Sequence, residues 1–150
     1  KLILNSKILG DSDESLIILH GLFGSLDNWY SIAKELSKSF QVHIIDQRNH
    51  GKSFHHNNHN YDLMSNDLYN YIQHNEIQDP IILGHSMGGK TAMAFSFHYP
   101  NSLKKLIIID IAPKKYINNY SALISYLIKI NNASKINEKG LIILLLNLIY

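Results

Sequence analysis

Ile81-Ile82-Leu83-Gly84-His85-Ser86-Met87-Gly88-Gly89 is the stretch on which the fold turns. Three apolar residues run unbroken into a glycine, a serine follows two positions on, and two more glycines open a segment that continues to Tyr99. A short continuous apolar run suits a strand buried on both faces. The segment from Met87 carries apolar residues at helical spacing and is closed by Pro100. Gly84-His85-Ser86-Met87-Gly88 therefore lies where a strand turns sharply into a helix. That setting, more than the pentapeptide itself, marks Ser86 as a candidate nucleophile. On such a turn only residues without bulk can flank the serine, its hydroxyl is pushed above the sheet, and the new helix offers unpaired N–H groups to any oxyanion.

The pattern repeats outward from this point. Leu16-Ile17-Ile18-Leu19, Val42-His43-Ile44-Ile45 and Leu106-Ile107-Ile108-Ile109 are further short apolar runs. Between them lie two helical stripes. One is Trp29, Ile32, Ala33, Leu36 and Phe40, with Asp27 or Asn28 placed to cap it; the other is Tyr61, Met64, Leu68, Tyr71 and Ile72. Strands alternating with helices predict an α/β protein with a mostly parallel sheet. Leu2 to Leu9 reads as one more strand, joined to the next by the polar turn Gly10 to Glu14. After Pro113 the sequence reads as helical with no clear strand, and the apolar run from Leu141 to Ile149 reads as a helix.

Composition narrows the chemistry. The 150 residues, 45% hydrophobic and 17% charged, make one globular domain rather than a disordered chain. Fourteen basic and twelve acidic residues give a net charge of +2 with no block of one sign, which gives nucleic-acid binding no support. The chain has no cysteine, which excludes disulfide scaffolds and thiolate metal or redox sites. Leu2-Ile3-Leu4 is broken at once by Asn5-Ser6-Lys7, unlike a signal sequence, and the Leu141 run is too short to span a bilayer. A cytoplasmic location is the expectation. His55, His56 and His59 sit in an Asn-rich loop with no partnering Glu, so neither a metal nor a cofactor is expected.

A second glycine-rich loop, His20-Gly21-Leu22-Phe23-Gly24, follows the strand Leu16 to Leu19. Beside the serine turn, it is where a second oxyanion donor belongs. The two donors are assigned to the backbone N–H groups of Leu22 and Met87, with Phe23 as the fallback for the first. His20 is read as a structural ring holding its loop, its alternative role being that of general base.

Four blocks in order carry a family resemblance: His20-Gly21-Leu22-Phe23-Gly24-Ser25-Leu26-Asp27-Asn28, Asp46-Gln47-Arg48-Asn49-His50-Gly51-Lys52-Ser53, Gly84-His85-Ser86-Met87-Gly88-Gly89-Lys90 and Asp110-Ile111-Ala112-Pro113. The chain resembles the α/β-hydrolases, and within them the YbfF-type esterases of bacteria. The resemblance implies an α/β-hydrolase core over residues 1–113 and the beginning of a helical cap over 114–150, with the rest of the fold missing. It implies a Ser–His–acid triad in which Ser86 matches the nucleophile and Asp110 the acid, while Asp46 and Arg48 are structural. No histidine of this chain occupies the family's catalytic place, which is expected beyond residue 150. His85 adjoins Ser86, but neighbours on a tight turn diverge.

The expected activity is hydrolysis of a small-molecule ester or acyl thioester through an acyl-enzyme on Ser86, with no cofactor. The piece alone is expected to be inactive and marginally stable. The alternatives are a decayed, non-catalytic relict and related chemistries on the same scaffold, such as a methyl-ester esterase or a carbon–carbon bond hydrolase.

Overall fold

A computed structural model describes residues 2–110 and the strand 141–144. Its core is a six-stranded sheet. The strands are β1 (Ser6–Leu9), β2 (Ser15–Leu19), β3 (Gln41–Ile45), β4 (Ile81–His85), β5 (Lys105–Ile109) and β6 (Leu141–Leu144). Their spatial order is β1-β3-β2-β4-β5-β6. β1 runs antiparallel to β3, with Ser6 opposite Ile45, and every other pairing is parallel. Leu16 pairs with Ile81 and Ile81 in turn with Lys105, so β4 lies between β2 and β5.

Helices cover both faces, which explains why the strands are apolar without alternation. Ile17, Leu19, Ile45, Ile82, Leu106 and Ile108 face α2 (Tyr61–His74) and α3 (Met87–His98), where Leu68, Tyr71, Ile72, Ala92 and Phe95 complete one buried layer. Leu16, Ile18, Val42, Ile44, Ile81 and Leu83 face the other way, onto Leu26 and onto Ala33 and Leu36 of α1 (Tyr30–Leu36). Met64, Leu68, Tyr71 and Ile72 of the second predicted stripe are all buried. Asn60 caps α2 by accepting the Leu63 N–H at 2.9 Å.

Three local expectations are corrected. The first predicted helix divides into a 3₁₀ turn, Leu26–Trp29, and the shorter α1. Its N-cap is Ser25, whose N–H donates to Asn28 Oδ1 at 2.7 Å, so Asp27 and Asn28 lie inside the first turn. The first strand is confined to Ser6–Leu9. The helix expected over the Leu141 run is, at Leu141–Leu144, a strand parallel to β5. A run of four apolar residues carries no period that separates strand from helix, and the open hydrogen-bonding edge of β5 decides it. The expected cap over 114–140, and residues 145–150, lie outside the described residues.

Candidate active site

The turn at Ser86 is strained and closely packed. Ser86 has φ 51° and ψ −113°, a region that side-chain-bearing residues rarely occupy. Two contacts leave no alternative. A Cβ on Gly84 would lie 2.4 Å from the Gly88 carbonyl oxygen, and one on Gly88 would lie 2.3 Å from the Leu19 oxygen. Strand β4 and the first turn of α3 thus touch through backbone, and α3 presses on the end of β2. The Ser86 N–H is anchored to the Ile109 carbonyl of β5 at 3.0 Å. Met87 is the first residue of α3, so its N–H has no partner within the helix.

The Gly21 loop stands beside this turn: a Cβ built on Gly21 would lie 3.4 Å from Ser86 Cβ and 2.9 Å from His85 Nδ1. The loop makes a tight turn in which the Gly24 N–H donates to the Gly21 carbonyl at 3.0 Å and Phe23 takes a positive φ of 60°. Leu22 and Phe23 are exposed at its tip. His20, at the base, is fully buried, and burial depresses its imidazole below the ordinary histidine range. Its Nε2 accepts the Gln47 N–H at 3.1 Å, so Nδ1 bears the proton and donates to the Gly21 carbonyl at 2.8 Å. With both ring nitrogens engaged, His20 has none free to act as a base toward Ser86. Gln47 completes the tie: its amide donates to the His20 carbonyl at 2.7 Å and accepts from Thr91 Oγ1 of α3 at 2.8 Å.

The loop after β3 is the frame on which this rests. Asp46 is buried and accepts from the Leu26 N–H at 2.8 Å, Asn5 Nδ2 at 2.7 Å and the Lys52 N–H at 2.9 Å. Arg48 forms a buried two-pronged pair with Asp67 of α2, with Nη2 2.7 Å from Oδ1, and also donates to the Asn58 carbonyl at 2.8 Å. Both groups are structural in their contacts. Asp46, Gln47, Arg48 and Ser53 of this loop and Asp67 of α2 are all buried, and each has its hydrogen-bond partners.

Asp110 follows β5 and has a positive φ of 51°. Since Ile109 pairs with His85, the carboxylate emerges beside the serine turn. The His85 ring faces it, with Nε2 3.7 Å from Oδ2, and Trp29 lies across that ring at a centroid distance of 6.0 Å. His85 thus faces Asp110, a contact the sequence reading missed; only the pairing of β4 with β5 could have shown it. Ser86, Asp110, Leu22 and Met87 therefore share the carboxyl end of the sheet. His55, His56 and His59 form no metal-holding group, and none occurs elsewhere among the described residues. No helix among the described residues is long and apolar enough to cross a membrane.

The fold occurs in known proteins. The family profile described as alpha/beta hydrolase fold matches residues 14–135. Esterase YbfF of Escherichia coli is 38% identical over 105 residues, covering 70% of this chain and 41% of that protein. The sn-1-specific diacylglycerol lipase ABHD11 of Danio rerio is 45% identical over 106 residues, covering 69% of this chain and 33% of the lipase. Among solved structures, a marine microorganism esterase superposes with a TM-score of 0.75 at 41% identity, covering 93% of this chain and 59% of that one. The chain spans well under half the length of the curated relatives it matches.

Proposed function

The chain belongs to the alpha/beta hydrolase fold family, and on that footing we propose that it carries the nucleophile half of a serine hydrolase for a small-molecule ester or acyl thioester. The observation that carries this reading is the backbone of Ser86: a serine at φ 51° between two glycines that admit no Cβ. Strain of this kind persists only where the surrounding structure enforces it, and it concentrates at reacting groups. The esterase and lipase relatives supply the ester class.

In the proposed reaction Ser86 Oγ attacks the acyl carbonyl carbon while a histidine takes its proton. The tetrahedral oxyanion is held by the N–H groups of Leu22 and Met87, in a site already organised before the charge forms. The histidine returns the proton to the departing alcohol or thiol, leaving the acyl group on Ser86. Water, deprotonated by the same histidine, then attacks the acyl-enzyme and frees the acid. Asp110 orients the histidine, displacing the His85 ring from its carboxylate. The histidine itself is assigned to a segment outside the described residues, since the relatives extend far beyond the matched region.

The test uses the full-length protein with a fluorophosphonate probe and a series of p-nitrophenyl acyl esters. Labelling and turnover that vanish together in Ser86→Ala support the hydrolase. A folded full-length protein that neither labels nor turns over would instead be a decayed member of the family.

A further inference from the structure

His50 adjoins the Gly21 loop without belonging to it, and the hydrolase reading as stated gives it no task. Its Nδ1 lies 2.9 Å from the Arg48 carbonyl, an oxygen that can only accept, so Nδ1 carries the proton. Its Nε2 is left as an acceptor and takes the Phe23 N–H at 3.3 Å. The His20 and His50 rings lie 5.0 Å apart, flanking the same loop.

The two rings act on consecutive peptide groups. The Gly21 carbonyl belongs to the Gly21–Leu22 peptide and accepts one hydrogen bond from the His20 ring and another from the Gly24 N–H. The Phe23 N–H belongs to the Leu22–Phe23 peptide and is taken by His50. The Gly21–Leu22 peptide bond is trans, so the Leu22 N–H points opposite to the Gly21 carbonyl, away from His20. Both planes on either side of Leu22 are thereby fixed. The Phe23 N–H is already engaged, so it is not the fallback donor, and the Leu22 N–H is the one left open.

Resting on the reading of Ser86 as nucleophile, we propose that His50 is a positioning residue for the reaction: by taking the Phe23 N–H it holds the loop in the turn that presents the Leu22 N–H to the oxyanion. The restraint starts well away from the site. Asp67 of α2 holds the Arg48 side chain, and the Arg48 carbonyl fixes the His50 ring and its tautomer. His50 is not a base in this scheme, since a nitrogen that accepts an amide proton is not open to the serine.

The test compares His50→Gln, whose amide oxygen reaches roughly the Nε2 position, with His50→Leu, which has no acceptor. Two readouts are taken on the full-length protein: hydrogen exchange of the Phe23 amide by NMR, and kcat and KM on a p-nitrophenyl ester. In His50→Leu the Phe23 amide should exchange at least about tenfold faster. There kcat should fall by about 10- to 100-fold with KM within about twofold, approaching the loss of an oxyanion donor. His50→Gln should recover most of both. If His50→Leu does not fold, His50→Asn, whose amide is too short to reach Phe23, replaces it with the same expectation. Wild-type exchange at Phe23, or wild-type kcat, in the acceptor-less variant overturns the proposal. A wild-type protein that a fluorophosphonate leaves unlabelled overturns the hydrolase reading instead, and the exchange result still decides whether His50 holds the loop.

Discussion

His85 Nε2 stands 3.7 Å from Asp110 Oδ2 across the ends of two paired strands, each side chain a little over one third exposed. The acid assigned to the triad is thus already in company with an imidazole, though the wrong one for proton transfer from Ser86. The contact is longer than a hydrogen bond and partly solvated, so it is weak. A catalytic histidine can displace it at little cost.

This pair gives a clean discrimination. Asp110→Asn should lower kcat of the full-length enzyme by about four orders of magnitude, the cost of an acid that no longer sets the histidine tautomer. His85→Gln should leave kcat within about tenfold, because His85 touches the acid and not the reacting atoms. Steady-state kinetics on one p-nitrophenyl ester read both. A near wild-type Asp110→Asn would move the acid to another strand.

Ser86 should illustrate the opposition of stability and function. Glycine adopts positive φ without steric cost, so Ser86→Gly should raise stability by about 1 kcal/mol while abolishing labelling and turnover. Ser86→Ala should abolish them equally without that gain. Urea denaturation of the two variants against wild type is the measurement, and equal midpoints for all three would mean that the turn stores no strain.

Gly88→Ala should be far more damaging than an ordinary helical Gly→Ala change. The added methyl would meet the Leu19 and His20 carbonyl oxygens at 2.3 and 2.7 Å, both backbone and unable to yield. Helix α3 would have to lift off β2, with a loss of several kcal/mol or failure to fold, on the order of the costs of overpacking. Soluble yield and thermal melting test this; a stable, active Gly88→Ala protein would contradict the close approach.

Stability should fall in mild acid. His43 is buried between Tyr71 Oη at 2.9 Å and Gln41 Oε1 at 3.1 Å, and burial lowers its imidazole to about 4 from an ordinary 6.5. The unfolded chain binds a proton below pH 6.5 that the folded chain refuses until about pH 4. The contribution is therefore complete above pH 6.5, drains away between 6.5 and 4, and changes no further below. Its size is about 3 kcal/mol. His20, depressed in the same direction by burial, adds to the slope. Urea midpoints at several pH values should show the decline, and His43→Gln should flatten it.

Arg48 and Asp67 are buried together, so removing one leaves the other charge unpaired. Asp67→Ala should cost about 3–5 kcal/mol. It should also loosen the loop that carries His50, which faster exchange at Phe23 would reveal. A loss below about 1 kcal/mol in chemical denaturation would show that water reaches the pair.

The central strands and α3 were legible because burial on both faces writes itself as unbroken apolar runs, and Gly84, Ser86 and Gly88 mark a turn by their size. Neighbouring residues carry those signals. The contact of His50 with Phe23 bridges 27 positions, and that of Gln47 with Thr91 bridges 44. No local pattern encodes which imidazole nitrogen meets which amide; the loops must first be brought together by the sheet. Leu141–Leu144 failed for a related reason: its conformation depends on a free strand edge elsewhere in the chain. The division of the first helix at Tyr30 went unread because the stripe from Trp29 to Phe40 keeps its period through a break in the backbone.

The order of the strands also has a consequence in time. β4 gains its β2 neighbour only when Leu16 meets Ile81, some 65 residues along the chain, and such distant parallel pairings are slow to form. A helix such as α3 can appear within microseconds, but the backbone of Ser86 is forced into its unfavourable angle only after β2, β4 and β5 have closed around it. During refolding, then, the serine should stay relaxed and unreactive until the last barrier is crossed. Its reactivity would serve as a clock for the end of folding, silent in every intermediate that already looks helical.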